Sequence, residues 1–374
     1  MKTTTELICG DATNLRAISD ASVDLVVTSP PYPMIEMWDE VFEQQSPGIA
    51  AALSAHDGTQ AFELMHEVLD GAWAEAFRVL RPGGVACINI GDATRTIDRD
   101  FRLYSNHTRM LTGLLGLGFV ALPDILWRKP TNAPNKFMGS GMLPVGAYVT
   151  YEHEYILILR KGRRRDFKTP EEKAVQRQSA FFWEERNSWF SDVWVDIRGA
   201  GQGLIDQSTR KRSAAFPFDL AHRLVCMFSV KGDTILDPFS GTGTTSMAAM
   251  ASGRNSIGVD LNEGLVANTQ TALQALPEFA NRYIRERLRS HMEFVRQRID
   301  SGKTLKHRNE NYDFEVVTGQ EKELLFNDIN SVTIKEGVIV AAYGETPQAD
   351  LGSGWLRSAA GDTPNPTLQA TLQL

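Results

Sequence analysis

Short apolar runs alternate with helix-forming segments along most of this sequence, an alternation typical of a parallel sheet flanked by helices. The runs that predict strands are 5–9, 23–28, 85–90, 119–127, 154–159, 234–236 and 256–259. Between the second and third, apolar residues from Phe62 to Leu80 recur at helical spacing, which predicts a buried crossover helix. At 374 residues, the chain can hold one α/β domain with additions.

Residues 234–245 read TILDPFSGTGTT, a predicted strand that runs into a glycine-rich turn and then a helix. Gly241 and Gly243 let the backbone approach a ligand closely, and the helix N-terminus offers free N–H groups. The next strand ends at Asp260, where a carboxylate can accept both hydroxyls of a ribose. The pattern predicts a nucleoside-containing cofactor. A dinucleotide remains an alternative, although Ser246 stands where G-x-G-x-x-G has its third glycine.

Residues 28–32 read TSPPY and follow the apolar run 23–27. A proline cannot donate to a sheet ladder and restricts the residue before it, so the strand must end here in a stiff, extended corner. In isolation such a corner needs no role beyond ending a strand. Its position between Ser29 and Tyr32 allows a second interpretation, a rigid frame for reacting groups.

Together the two motifs resemble those of the DNA amino-methyltransferases, which move the methyl group of S-adenosylmethionine to an exocyclic base nitrogen. LDPFSGTGTT resembles the family's cofactor-binding motif, and TSPPY resembles its catalytic motif. Further segments that resemble the family are GDA at 10–12, RPGG, INIGD, EHEYILILRKG and FPFDLAHRLV, so the likeness covers roughly residues 5–275. The catalytic motif comes first, as in the permuted beta class. The resemblance implies a Rossmann-like α/β fold with a mixed, mostly parallel sheet and helices on both faces.

The resemblance also implies roles for individual residues. The hydroxyl of Ser29 and the carbonyl of Pro30 would accept hydrogen bonds from the target amine, in a corner stiffened by Pro31. Tyr32 would stack on the base after it leaves the duplex. The residues implied in cofactor binding are Asp11, Asp237, Phe239, Ser240, Gly241, Gly243, Thr244 and Asp260. A sulfonium is already electrophilic, so we expect neither a metal nor a covalent intermediate, and the chain has no Pro-Cys dipeptide for cytosine C5 chemistry.

The same resemblance divides the chain into four parts. Residues 1–160 form the catalytic half, 161–213 the target recognition region, 214–275 the cofactor-binding half and 276–374 a C-terminal extension. Between residues 160 and 215, thirteen Lys and Arg stand against eight Asp and Glu, interleaved with aromatics, although the chain as a whole has net charge −7. This predicts a surface that faces a polyanion.

The C-terminal extension carries a second basic stretch, at 281–310. Its arginines lie on a predicted helix from Pro277 to Asp300, largely off the apolar stripe, so they form either a nucleic-acid contact or a solvated face. The segment 331–343 predicts a small hairpin.

From these features we expect a site-specific DNA methyltransferase that acts on N4 of a flipped cytosine in a restriction-modification system. Serine before Pro-Pro more often accompanies cytosine N4 in the family than adenine N6. The alternatives are adenine-N6 methylation, an RNA or protein substrate, a dinucleotide-dependent oxidoreductase and a non-catalytic DNA-binding module.

The expected partner is double-stranded DNA; a separately encoded cognate restriction endonuclease and a homodimer are left open. The N-terminal sequence lacks the apolar middle region of a signal peptide, and no stretch approaches the ~18 apolar residues of a membrane span. We therefore expect a cytoplasmic protein without membrane contact.

Overall fold

The computed structural model of the protein describes residues 1–129, 138–197 and 216–348. In these ranges the strands are β1 Lys2–Cys9, β2 Val23–Thr28, β3 Leu80–Ile90, β4 Ala93–Ile97, β5 Asp100–Tyr104, β6 Phe119–Ala121, β7 Ile125–Arg128, β8 Met138–Gly139, β9 Ala147–Tyr148, β10 His153–Lys161, β11 Val193–Trp194, β12 Thr234–Asp237, β13 Asn255–Asp260, β14 His307–Arg308, β15 Glu315–Val316, β16 Ile329–Lys335 and β17 Val338–Tyr343. The helices are α1 Asp39–Gln45, α2 Pro47–Ser54, α3 Gly58–Val79, α4 Asn106–Gly116, α5 Pro170–Gln178, α6 Trp183–Trp189, α7 Phe218–Phe228, α8 Thr244–Ala251 and α9 Glu263–Asp300, with short 3-10 helices at Glu36–Trp38 and Gly319–Glu321.

Eleven of the strands in the described ranges form one mixed sheet. Its order is β11-β7-β10-β3-β2-β12-β13-β1-β17-β16, with β6 also paired to β10. The five strands from β3 to β1 run parallel, so their carboxyl ends share one edge. Strands β10 and β17 flank them antiparallel.

Helices pack on both faces of this sheet. Strand β2 is buried along its whole length: Leu25 and Val27 pack with α7 and α8 on one face, and Val26 packs with α3 and α4 on the other. Helix α3 leads from β2 to β3, whereas α8 leads from β12 to β13 on the opposite face. The strand order therefore reverses between β2 and β12, the position at which open α/β sheets bind ligands.

Most predicted elements are present, although several bounds shift by up to five residues, as where β3 begins at Leu80 and not at residue 85. Two elements differ more. The run 119–127 is two strands, β6 and β7, because Pro123 between them cannot donate to a ladder. The predicted start of a helix at Pro277 was wrong. Helix α9 already begins at Glu263, and apolar packing on both sides of the proline holds it as one 38-residue helix. The predicted boundary at 275/276 therefore falls inside a helix.

The C-terminal part is joined to the rest of the molecule in two ways. The predicted hairpin is present as β16 and β17, and β17 pairs with β1, so it extends the main sheet. A separate apolar cluster joins Phe182 before α6 to the second half of α9 and to residues 312–326. No helix within the described ranges is long and apolar enough to cross a membrane.

Candidate active site

A cleft of about 360 Å³ opens at the carboxyl edge of the parallel strands, where the strand order reverses. Ten of the twelve sequence-predicted site residues line it: Asp11, Ser29, Pro30, Pro31, Asp237, Phe239, Ser240, Gly241, Thr244 and Asp260. The other two, Tyr32 and Gly243, are not among the residues that line it. The two motifs, separated by about two hundred residues, thus meet because β2 and β12 are neighbours.

Buried hydrogen bonds tie the two motifs together. The hydroxyl of Thr28, at the end of β2, donates to Oδ1 of Asp237 over 2.6 Å. Thr245, in the first turn of α8, donates to the carbonyl of Val27 over 3.1 Å. Both bonds cross from one motif to the other, so the corner at Ser29 and the glycine-rich turn are held in a fixed relative position.

Asp237 lies at the bottom of the cleft with 2% of its surface exposed. Burial raises the pKa of its carboxyl to about 6, against hydrogen bonds from Thr28 and from the N–H of Phe239 that lower it. The latter bond, 3.1 Å long, shapes the turn that follows the strand. Asp237 therefore contributes both to the turn and to the negative charge of the cleft.

Asp260 ends β13 on the adjacent side of the cleft. Its Oδ2 accepts the N–H of Gly241 over 2.8 Å, and its Oδ1 accepts the N–H of Asn262 over 2.9 Å. Burial raises the pKa of this carboxyl too. Each oxygen keeps lone-pair capacity, so the carboxylate is oriented and still able to accept two hydroxyls. Asp11 lines the same cleft, and its Oδ1 accepts the N–H of Thr13 over 2.8 Å.

The two motif glycines serve different purposes. Gly241 has φ +50° and faces open space, since a Cβ there would meet only the carbonyl oxygen of Phe239, at 4.0 Å. Gly243 has φ +77°, and a Cβ there would lie 2.2 Å from Cγ2 of Thr269 in α9. The expectation that both allow close approach of a ligand thus fits Gly241, whereas Gly243 is required by the contact of the turn with α9.

Tyr32 belongs to a hydrogen-bond network that the sequence analysis did not predict. Its hydroxyl donates to Oε2 of Glu154 over 2.9 Å and accepts from Ser29 Oγ at 3.1 Å and Asn89 Nδ2 at 2.8 Å. Asn89 Nδ2 also donates to Glu154 Oε2 over 2.7 Å, and Lys129 Nζ lies 2.9 Å from Glu154 Oε1. Burial, followed by the Glu154 charge, raises the pKa of the Tyr32 phenol well above its ordinary value.

The sequence contained a signal for two of these residues. Asn89 lies in INIGD and Glu154 in EHEYILILRKG, both of which resemble family segments, but no role followed for either residue. Other cleft residues gave no such signal: Trp38, Phe42, Val68, Leu69 and Ala72. Helical periodicity predicted Leu69 as core, which it is, but periodicity does not show that the same side chain also borders a cleft.

The charges that line the cleft are all of one sign. Among the described lining residues, three are carboxylates, Asp11, Asp237 and Asp260, and none is Lys, Arg or His. Such a lining suits a cofactor that carries positive charge. The volume is in the range of small-molecule sites.

The basic stretch at 160–215 is less available to a polyanion than its sequence suggested. Lys161 donates to backbone carbonyls of Phe77 and Leu80, and Arg165 pairs with Asp24 and Asp233. These contacts lie at the amino ends of β2, β3 and β12, opposite the cleft. Arg163, Arg164, Lys168 and Lys173 are exposed. Arg198, Arg210, Lys211 and Arg212 lie outside the described residues.

The fold and cleft together define a methyltransferase of the S-adenosylmethionine-dependent, Rossmann-like type. The family model for DNA methylases of the N6/N4 type matches residues 23–271, and the chain belongs to this family. As the sequence motifs indicated, it is a beta-class DNA amino-methyltransferase.

Individual relatives are similar over most of the chain. The chain is 49% identical over 325 residues to the Type II methyltransferase M.MthZI of Methanothermobacter thermautotrophicus, covering 87% of this chain and 90% of that relative. It is 47% identical over 271 residues to the Type II methyltransferase M.MjaI of Methanocaldococcus jannaschii, covering 70% and 88%.

A solved structure is similar as well. A candidate DNA modification methylase of Thermus thermophilus, crystallised with S-adenosyl-L-methionine, matches with a TM-score of 0.56 and 32% identity. The match covers 73% of this chain and 94% of that one.

Proposed function

We propose that this DNA methyltransferase transfers a methyl group from S-adenosylmethionine to the exocyclic N4 amino group of a cytosine flipped out of double-stranded DNA. The observation that carries the proposal is the position of Ser29, a hydrogen-bond acceptor held at the rim of an acidic cofactor cleft. Adenine N6, in the same family, is the alternative base. Serine at this position supports cytosine because family members with serine there more often methylate N4.

The residues of the cleft fit the proposed cofactor. Asp260 would accept the ribose hydroxyls, and the acidic lining would favour the positive charge of the sulfonium and ammonium groups. The apolar side chains of Phe239, Leu265 and Leu261 offer a surface for the adenine. When bound, the cofactor supplies an electrophilic methyl group. The dinucleotide-dependent oxidoreductase loses support, since the family model that matches residues 23–271 is that of the DNA methylases.

Ser29 and Pro30 would act on the amine itself. The lone pair of an exocyclic amine is delocalised into the ring, which makes the nitrogen a poor nucleophile. Acceptors at Ser29 Oγ and the Pro30 carbonyl would pull on the N–H bonds and turn the nitrogen toward tetrahedral geometry. Pro30 and Pro31 fix the corner, so little reorganisation is needed as positive charge develops. Tyr32 would provide the stacking surface for the base.

The proposal extends to organisation and partners. Residues 161–213 would read the DNA sequence, and the surface basic residues there would contact phosphates. The named relatives are Type II methyltransferases, which supports a restriction-modification system with a separately encoded endonuclease. A homodimer and a cytoplasmic location remain predictions.

Product analysis tests this proposal directly. The protein is incubated with duplex DNA and methyl-labelled S-adenosylmethionine, and the DNA is digested to nucleosides and separated. We expect label in N4-methylcytosine. Label in N6-methyladenine alone would show that the base is wrong, and label in RNA but not in DNA would show that the substrate is wrong.

A further inference from the structure

The network around Tyr32 has a fixed direction. A carboxylate only accepts hydrogen bonds, so the O–H of Tyr32 is committed to Glu154. The Tyr32 oxygen can then only accept, and it accepts from Asn89 and Ser29. The orientation of the Asn89 amide is fixed as well, because its Nδ2 also donates to the carboxylate. The hydroxyl proton of Ser29 therefore points to Tyr32.

The consequence falls on the free side of Ser29. With its proton committed, Ser29 Oγ offers only lone pairs to any further partner. The target amino group donates hydrogen bonds through its N–H groups. A Ser29 hydroxyl proton that pointed at the amine would place donor against donor, whereas the lone pairs of Ser29 Oγ can accept from it. The negative charge of Glu154, two hydrogen bonds away, thereby makes Ser29 an acceptor toward the amine.

We propose that Glu154 is a positioning residue for methyl transfer, which acts through Tyr32 to hold Ser29 as an acceptor for the target amine. The inference rests on the proposed function, since it assumes an amine substrate at Ser29. It gives the hydroxyl of Tyr32 a role separate from that of its ring.

The surroundings are shaped for this network. The side chain of Glu154 is 13% exposed, and the Lys129 ammonium on its other oxygen balances its charge. Gly91 lies against both partners: a Cβ there would be 3.0 Å from Cε2 of Tyr32 and 3.3 Å from Cγ of Glu154. A larger residue at position 91 would press on the contact that joins them.

The same chain of bonds offers a route for a proton. As the N–C bond forms and the S–C bond breaks, the nitrogen becomes cationic and must lose one proton. That proton can pass to Ser29 Oγ as the serine proton moves to Tyr32 and the tyrosine proton moves to Glu154. The net result is a neutral thioether, a neutral methylated amine and a protonated Glu154, which later releases its proton to solvent.

Single-turnover methylation of duplex DNA by Glu154→Gln tests the proposal. The amide has nearly the same shape, but it carries no negative charge to hold the direction of the chain and leaves no proton acceptor at its end. We expect the rate constant at saturating DNA and cofactor to fall about 100-fold, with nearly unchanged dissociation constants for both and an unchanged melting temperature. Glu152→Gln is the matched control: Glu152 lies two residues earlier and pairs with Arg128 at 3.3 Å, away from Tyr32.

A second variant separates the hydroxyl of Tyr32 from its ring. Tyr32→Phe keeps the stacking surface and removes the link between Ser29 and Glu154. We expect a loss similar to that of Glu154→Gln, and a double variant no slower than the slower single one, because residues of one chain act as a unit.

The outcomes are distinct. If the wild type labels no DNA, the proposed function fails and this inference with it. If the wild type labels DNA and Glu154→Gln stays within about threefold of it, or Tyr32→Phe is fully active, the inference alone is overturned. A Glu154→Gln variant that loses cofactor affinity or melting temperature along with rate would show a structural role and also overturn it.

Discussion

At the scale of single residues, the site depends on which atoms are left free after local hydrogen bonds are made. The sequence indicates that Ser29 is present at the end of a strand but not where its proton points. In the fold the proton is directed at Tyr32, over 3.1 Å. What remains is an acceptor beside the cofactor cleft, and its removal is a direct test of its role.

Ser29→Ala removes this acceptor without changing the shape of the corner. We expect kcat for DNA methylation to fall about 100-fold, by the usual effect of deleting one preorganised polar contact to a reacting group. Isothermal titration should give a nearly unchanged dissociation constant for S-adenosylmethionine. A large loss of cofactor affinity would contradict the roles assigned to Ser29 and to the cleft.

Asp237 should titrate in an accessible pH range. Its pKa is raised to about 6 in the fold from 3.8 in the unfolded chain, so the neutral carboxyl is favoured by folding. Its contribution to stability is therefore fully present below pH 3.8 and is lost as pH rises through 6. A difference of one pKa unit corresponds to roughly 1.4 kcal/mol, so the free energy of unfolding should fall by about 3 kcal/mol over this pH range.

Asp237→Asn provides the reference for this prediction. Urea unfolding of both proteins at several pH values from about 4 to about 7 should show the wild type losing free energy of unfolding relative to the variant as pH rises. Parallel curves over this range would show that Asp237 does not titrate there.

At the scale of elements, the glycine-rich turn shows how one motif serves two interfaces. Gly241 borders the cleft, while Gly243 lies at the start of α8 and under Thr269 of α9. The sequence alone does not distinguish the roles of the two glycines, because both precede the same helix.

The pair of variants Gly241→Ala and Gly243→Ala distinguishes the two roles. Both place alanine at positive φ, which costs roughly 1–2 kcal/mol. Only the second also forces a Cβ to within 2.2 Å of Thr269, so it should lose about 1–3 kcal/mol more in the free energy of unfolding. Urea denaturation of the two apo proteins measures the difference. Equal losses in the two variants would show that α9 shifts away from position 243 at no cost in free energy.

At the scale of the whole molecule, the described part of segment 161–213, for which we propose target recognition, packs against the C-terminal segment from residue 276 onward. Glu185 of α6 holds Arg287 of α9 through two bonds of 2.7 and 2.9 Å, with side-chain exposures of 13% and 10%. Phe182 stacks on His291 with ring centroids 3.8 Å apart. Charge counted along the sequence overestimated the free positive surface, because such arginines are used internally.

Glu185→Gln should therefore destabilise the molecule, because it leaves the Arg287 charge buried without its carboxylate. We expect a loss of about 3 kcal/mol in the free energy of unfolding, measured by urea denaturation. Glu293→Gln is the matched control, since Glu293 pairs with Arg296 at an exposed position of α9, the helix that carries Arg287, and should show little change. Similar losses in both variants would contradict the importance of burial.

The sequence by itself determined the fold class and the position of both motifs, because these depend on local patterns: strand-length apolar runs, a Pro-Pro corner and a glycine turn before a helix. The resemblance of the two motifs to known ones indicated the family. It also identified ten of the residues that line the cleft. Only the tertiary structure decided what these residues touch. Asn89 and Glu154 reach Tyr32 because β3 lies between β2 and β10, and Thr269 requires Gly243 because α9 packs against the start of α8. Such contacts join residues far apart in the chain, and a local pattern contains no information about which distant side chain will fill the space beside it.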